Sequence, residues 1–114
     1  MKIAIVGSRR ITNADLSAYV NDDADMIIAG GANGIDRLVA EFAKAKGISF
    51  LEILPEYEKY GRCAPLVRNR KIVDVADFVI IIWDGKSRGS KFVIEYCKKV
   101  GKPYRIEREN TDFV

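Results

Sequence analysis

Histidine is absent from the 114 residues of the chain. A Ser-His-Asp triad, a Cys-His pair and histidine-ligated metal sites are therefore excluded, and we predict no metal site. The two cysteines, Cys63 and Cys97, form no CxxC motif, and without a secretory signal we interpret them as free thiols. Any acid, base or nucleophile must come from Asp, Glu, Lys, Tyr, Ser, Thr or Cys.

Long apolar runs are also absent. The longest, Phe78–Trp83, is far too short to span a bilayer, and the N-terminal residues lack the apolar region and cleavage site of a signal peptide. We therefore expect a cytoplasmic protein without a membrane partner. A content of 48% apolar and 31% charged residues excludes a disordered chain, a collagen-like chain and a coiled coil. The length predicts one domain, residues 1–107, followed by a polar tail, residues 108–114.

Short β-branched runs alternate with helical periodicity along the chain. The runs predict strands at Lys2–Val6, Met26–Ala29, Ile48–Leu54, Phe78–Trp83 and Tyr104–Glu107. The periodicity predicts helices from Ile35 and from Phe92, and weaker helices over Ala14–Val20 and Leu66–Ala76, with Pro55–Ala64 irregular. This alternation predicts a small doubly wound α/β domain with a parallel sheet and helices on both faces. Phe78–Trp83 is apolar throughout, as expected of a central strand.

Glycine and positive charge concentrate after the predicted strands, where ligands bind in open α/β sheets. Seven of the nine glycines lie in the segments that leave the strands. These segments are residues 7–10, 30–36, 55–62 and 84–90. Glycine lets a backbone approach a ligand closely, and helix N-termini attract anions. The pattern predicts a site for a phosphate-bearing small molecule; the alternative is turn geometry combined with surface charge.

The segment of residues 30–36 (GGANGID) carries the sharpest signal. Gly30 and Gly31 allow a tight turn, and Gly34 opens a helix whose first turn can hold a phosphate. Asp36 either stabilises the helix dipole or accepts hydrogen bonds from ribose hydroxyls. The candidate ligand-binding residues in the loops are Gly7, Ser8, Arg9, Gly30, Gly31, Ala32, Gly34, Asp36, Asp84, Ser87, Arg88, Gly89 and Ser90.

Two common nucleotide motifs are missing. The residues Gly85–Ser87 resemble the end of a P-loop, but Ile80 stands where that motif requires glycine, so an ATPase is excluded. No GxGxxG follows the first strand, which argues against a hydride-transferring dehydrogenase. Instead, Ser87, Gly89 and Ser90 are typical of a donor loop before a helix, and Arg88 is a candidate phosphate clamp.

Three further residues are candidates. Arg68 lies in a predicted helix, either on a charged outer face or reaching into the cleft. Tyr60 and Trp83 are candidates to stack on a base; since Trp83 ends an apolar strand, a core position is its alternative. No catalytic residue is assigned.

The motifs IVGSRR, GGANGID, YGRCAPLVRN and IIWDGKSRGS, in this order, resemble the YspA/YpsA-related SLOG domains. The resemblance runs from about Lys2 to Pro103. It implies a Rossmann-like fold, often dimeric, that binds a nucleotide or nucleotide-derived ligand such as AMP, ADP-ribose or an NAD-like molecule and requires no cofactor. Arg68 and Asn69 match the Arg-Asn pair of the family. The wider superfamily includes the LOG-type phosphoribohydrolases and the DprA DNA-processing proteins.

Three functions compete. The first is a sensor or carrier that binds a nucleotide-type ligand without turnover. The second is an enzyme of the phosphoribohydrolase type, with Asp36, Asp84 or Glu95 as acid or base; the family's enzymes carry an acid soon after the phosphate loop, and here the first is Glu95. The third is single-stranded nucleic acid binding through the cations of residues 59–71. The net charge of only +3 argues against this third function.

Overall fold

The computed structural model describes residues 1–8, 11, 14–20, 24–31 and 35–109. Its strands are β1 (Lys2–Gly7), β2 (Met26–Ala29), β3 (Ser49–Glu52), β4 (Phe78–Trp83) and β5 (Tyr104–Arg108). Its α-helices are α1 (Ile35–Lys46), α2 (Tyr57–Tyr60), α3 (Ala64–Val75) and α4 (Arg88–Val100), and single turns of 3-10 helix span Leu16–Ala18 and Gly61–Cys63. The strands form one sheet in the order β3-β2-β1-β4-β5, and every pair is parallel. The predicted doubly wound, Rossmann-like α/β fold is confirmed.

Side chains alternate between two apolar layers because successive residues of a strand point to opposite faces. Ile3 and Ile5 pack with α1 and the first 3-10 turn, whereas Ala4 packs with α3 and α4. In β4 the four interior residues, 79–82, are buried and divide between the two layers. The apolar run therefore forms an inner strand covered on both faces, while the middle strand of the sheet is β1.

Several segments differ from the sequence-based expectations; α4, for example, begins at Arg88 and not at Phe92. Residues 14–20 contain only the 3-10 turn Leu16–Ala18, where the Ser17 hydroxyl donates to the Asp15 carboxylate. The stretch predicted to be irregular holds α2 and a 3-10 turn. The third strand is shorter than expected: its pairing with β2 ends at Ala29, whose carbonyl still accepts the N–H of Ile53 at 2.9 Å.

The last strand is longer than expected. β5 ends at Arg108, which pairs with Trp83 of β4, and the N–H of Glu109 donates to the Trp83 carbonyl at 3.0 Å. Arg108, assigned to the tail from the sequence, is thus a strand residue at the carboxyl edge of the sheet. Residues 110–114 of that tail lie outside the described part of the chain.

The order of the strands defines where a ligand binds in such a sheet. From β1 the chain adds β2 and β3 on one side, and it then crosses to β4 and β5 on the other. The connections that leave β1 and β4 therefore diverge and open a crevice beyond their carboxyl ends. None of the described helices has the length and apolar character needed to cross a bilayer.

Candidate functional site

Gly7 and Ser8, at the end of β1, lie between the first residues of two helices. A β-carbon at Gly7 would overlap the side chain of Ile35, the first residue of α1. Ser8 is 1% exposed, and its hydroxyl oxygen lies 3.3 Å from that of Ser90 in the first turn of α4. Two helix N-termini therefore meet at the crevice between β1 and β4.

Asp84 organises the loop that connects β4 to α4. Its Oδ1 accepts hydrogen bonds from the N–H groups of Lys86 and Ser87, both at 2.8 Å, and its own N–H donates to Ser8 Oγ at 3.2 Å. Burial raises the pKa of the Asp84 carboxyl, but the hydrogen bonds from Lys86, Ser87 and Ser8 together outweigh burial and lower it below its usual value. Asp84 is therefore ionised at neutral pH and engaged in holding the loop.

The first turn of α4 is held from both ends of the loop. Ser87 is the N-cap, and its Oγ accepts the N–H of Ser90 at 3.5 Å. The indole N–H of Trp83 donates to the Ser87 carbonyl at 3.1 Å. The N–H groups of Arg88 and Gly89 belong to the first turn, where a helix has no internal acceptor for them.

Glycines at this edge have two different explanations. β-carbons at Gly7 and Gly30 would overlap Ile35 and Arg68, and Gly31, with φ of 74°, lies against Leu54 and Glu52. Packing within the chain therefore explains why these three positions are glycine, without any contact to a ligand. Gly89 differs, because the nearest atom to a β-carbon there would be Ser87 Oγ at 4.0 Å.

Arg68 and Asn69 lie on the buried side of α3. Arg68 is 8% exposed; its Nη1 donates to the Gly30 carbonyl at 2.5 Å, and its Nε donates to Asn69 Oδ1 at 2.8 Å. The guanidinium thus reaches the carboxyl end of β2, as the cleft hypothesis expects, and there it contacts backbone. This arginine links α3 to the loop that begins at Gly30.

The two candidate stacking residues have partners within the chain. Trp83 packs against the apolar layer of α3 and α4 and uses its indole N–H on the α4 loop. The Tyr60 ring lies 5.3 Å from Lys59 Nζ and 5.5 Å from Lys71 Nζ. The structure thus places Trp83 beside the start of α4 and Tyr60 beside α3.

The cations of residues 59–71 are largely engaged by the chain itself. Lys71 pairs with Glu56 at 2.9 Å, and the Arg70 guanidinium lies 5.6 Å from the centre of the Phe92 ring. Lys59 faces Tyr60, and Arg68 is buried. These contacts leave fewer of the cations available to a phosphate backbone.

Arg108 is a residue that the sequence analysis did not place at the site. A β-carbon at Gly85 would overlap its guanidinium and lie 2.8 Å from its Nε, and Gly85 has φ of 84°. Arg108 directly follows the last predicted strand. Because parallel strands end at a common edge of the sheet, this position could have indicated that Arg108 lies near the site.

The remaining candidates fall into two groups. Asp36 lies in the first turn of α1 and is partly buried, and Arg88 is exposed as the first residue of α4, after the exposed Lys86 of the preceding loop. Arg9, Ala32 and Gly34 lie outside the described residues. Comparison of the chain with protein-family models, with curated proteins and with solved structures finds no match.

Proposed function

We propose that the chain binds a nucleotide-type ligand at the crevice between β1 and β4, as a sensor or carrier, and that it holds a phosphate at the start of α4. One observation carries this proposal. The buried Ser8–Ser90 contact and the Asp84 hydrogen bonds hold a helix N-terminus in place at the switch point of the sheet. A helix N-terminus held in this way favours an anion through its N–H groups and its dipole.

The phosphate contacts follow from the first turn of α4. The N–H groups of Arg88 and Gly89 are the backbone donors. The Ser87 hydroxyl keeps its proton to donate while its oxygen caps the helix, since a hydroxyl both donates and accepts. The exposed side chains of Lys86 and Arg88 add charge-assisted hydrogen bonds, each contributing about 1.5–3 kcal/mol.

Binding without turnover is favoured because the acids are poorly placed for proton transfer. Asp84 already accepts two N–H groups, and its lowered pKa makes it a weak base. Glu95 is exposed and lies seven residues after Arg88, about 10 Å along the helix. The enzymatic alternative therefore depends on Asp36. A homodimer and a cytoplasmic location stay predictions.

Gly89→Ala tests the phosphate position. The structure has room for the methyl group, and alanine favours a helix, so the free variant should be at least as stable as wild type. The methyl group would stand close to the donors of the first turn and should weaken binding about tenfold or more. The measurement is a thermal-shift panel with AMP, ADP, NAD and ADP-ribose. At 100 times its dissociation constant a ligand adds about 2.7 kcal/mol, on the order of 10 °C here.

Lys98→Ala, at the exposed far end of α4, is the control and should keep the wild-type shifts. If Gly89→Ala shows the same ligand-induced thermal shifts as wild type, the start of α4 is not the phosphate site. The absence of a shift with all of these nucleotides in the wild type would contradict the proposed function. Release of free base in the same mixtures would favour the enzymatic alternative.

A further inference from the structure

The end of β5 is held by the neighbouring strand and by a side-chain contact. Arg108 pairs with Trp83, and the next residue, Glu109, donates its N–H to the Trp83 carbonyl at 3.0 Å. The Glu109 carboxylate accepts a hydrogen bond from the hydroxyl of Tyr19, in the segment that follows β1. The end of β5 is thus tied to the end of β4 and to the segment after β1, and the backbone of Arg108 occupies a defined position.

The Arg108 side chain lies on the loop after β4. Its guanidinium occupies the space that a side chain at Gly85 would fill, yet the residue remains exposed. Gly85 is three residues before Arg88, so their Cα atoms are at most about 11 Å apart. The guanidinium therefore lies close to the start of α4.

Lys86, Arg88 and Arg108 carry positive charge on the loop after β4, at the start of α4 and at the end of β5, respectively. None of the ion pairs among the described residues includes Lys86, Arg88 or Arg108. The carboxylate of Asp84, in the same loop, is engaged by two backbone N–H groups. Three cations against the one carboxylate of Asp84 leave this loop with an excess of positive charge, which favours an anion that carries several charges.

We propose that Arg108 is a specificity-determining residue that contacts a second phosphoryl group of the ligand. The start of α4 with Arg88 holds the first phosphoryl group, and the guanidinium over Gly85 holds the next one through its two-pronged donor geometry. The site then prefers a nucleoside diphosphate over a monophosphate. This inference rests on the proposed function.

The test compares AMP and ADP binding by isothermal titration calorimetry in wild type, Arg108→Gln and Arg108→Lys. Wild type should bind ADP more tightly than AMP. Arg108→Gln should lower the ADP affinity about tenfold or more and change the AMP affinity less than about threefold, because it removes a charge-assisted contact to the second phosphoryl group only. Arg108→Lys keeps the positive charge but not the paired N–H donors of the guanidinium, and it should give an intermediate loss of ADP affinity.

The control is Lys99→Gln, which removes one charge from the exposed last turn of α4 and should leave both affinities unchanged. The inference would be overturned if Arg108→Gln had the same ADP-to-AMP affinity ratio as wild type, whether both affinities fell equally or neither changed. The proposed function would stand in both cases. Failure of wild type to bind either AMP or ADP would overturn the inference, and the proposed function would fall with it only if NAD and ADP-ribose also failed to bind. If thermal melting shows Arg108→Gln to be unfolded, Arg108→Lys is the test: a lower ADP-to-AMP affinity ratio than in wild type supports the inference, and an unchanged ratio overturns it.

Discussion

At the carboxyl edge of the sheet, two arginine side chains occupy the space that glycines leave open. The Arg68 guanidinium fills the space beside Gly30, and the Arg108 guanidinium fills the space over Gly85. A side chain at either glycine would displace an arginine. The glycine-rich pattern that predicts a ligand site is therefore partly a packing requirement of the chain, and Gly89 is the position that separates the two explanations.

Arg68→Ala should destabilise the free protein by about 1–3 kcal/mol, because it leaves the Gly30 carbonyl and the Asn69 side chain without their donor. Urea unfolding measures the change. Arg70→Ala, two residues further along α3, removes an exposed arginine that lies over the rings of Phe92 and Tyr96 and should cost less than about 1 kcal/mol. Equal effects of the two variants would show that the buried contacts of Arg68 contribute little to stability.

The start of α4 is the element on which the candidate site depends. Ser87 caps it, Trp83 holds the Ser87 carbonyl, and Asp84 holds the Ser87 N–H. These bonds order the first turn before a ligand arrives, so binding does not have to supply the cost of ordering it. The same preorganisation makes the turn sensitive to loss of its cap.

Ser87→Ala should destabilise the free protein by about 1 kcal/mol, since it removes the side-chain acceptor at the N-cap. Ser87→Asp restores an acceptor with a favourable charge at the helix N-terminus and should recover stability, but its negative charge should weaken binding of an anionic nucleotide. Thermal melting and nucleotide titration of the two variants check both effects. Tighter nucleotide binding by Ser87→Asp would contradict an anion site at this turn.

At the scale of the whole molecule, β5 joins the segment after β1 to the sheet. The Tyr19 hydroxyl donates to Glu109, and the Arg105 guanidinium donates to the Tyr19 carbonyl. The hydrogen bond to Glu109, then burial and the charges of nearby carboxylates, raise the pKa of Tyr19 from 10.0 to about 12. The folded chain therefore favours the neutral phenol.

Because the pKa of the Tyr19 phenol is higher in the folded chain, its stabilising contribution is fully present below pH 10 and is lost as the pH rises towards 12. Tyr19→Phe should lower the free energy of unfolding at neutral pH by roughly 1 kcal/mol. Between pH 10 and 12 the free energy of unfolding of this variant should fall less than that of wild type. Urea midpoints across the range measure this. Tyr57→Phe, at an exposed tyrosine, should behave like wild type; an alkaline loss in Tyr19→Phe equal to that of wild type would refute the assignment.

The sheet could be predicted because each strand has a strong local signal. Met26–Ala29 and Phe78–Trp83 have the predicted bounds, since an inner parallel strand needs apolar residues on both faces. The segment of residues 14–20 could not be predicted. Leu16 and Val20 are buried in the core and Tyr19 contacts Glu109, so the conformation of this segment depends on distant residues more than on its weak helical pattern.

The order of residues along the chain was sufficient to establish the fold class and the sheet edge at which glycine and charge collect, because periodicity and turn residues are local properties. It did not reveal which glycines make room for the chain's own side chains, nor that Arg108 lies over Gly85, 23 residues earlier in the sequence. Such contacts arise only when parallel strands from distant parts of the chain end side by side. The candidate partners of a ligand are therefore set by the packing of the sheet.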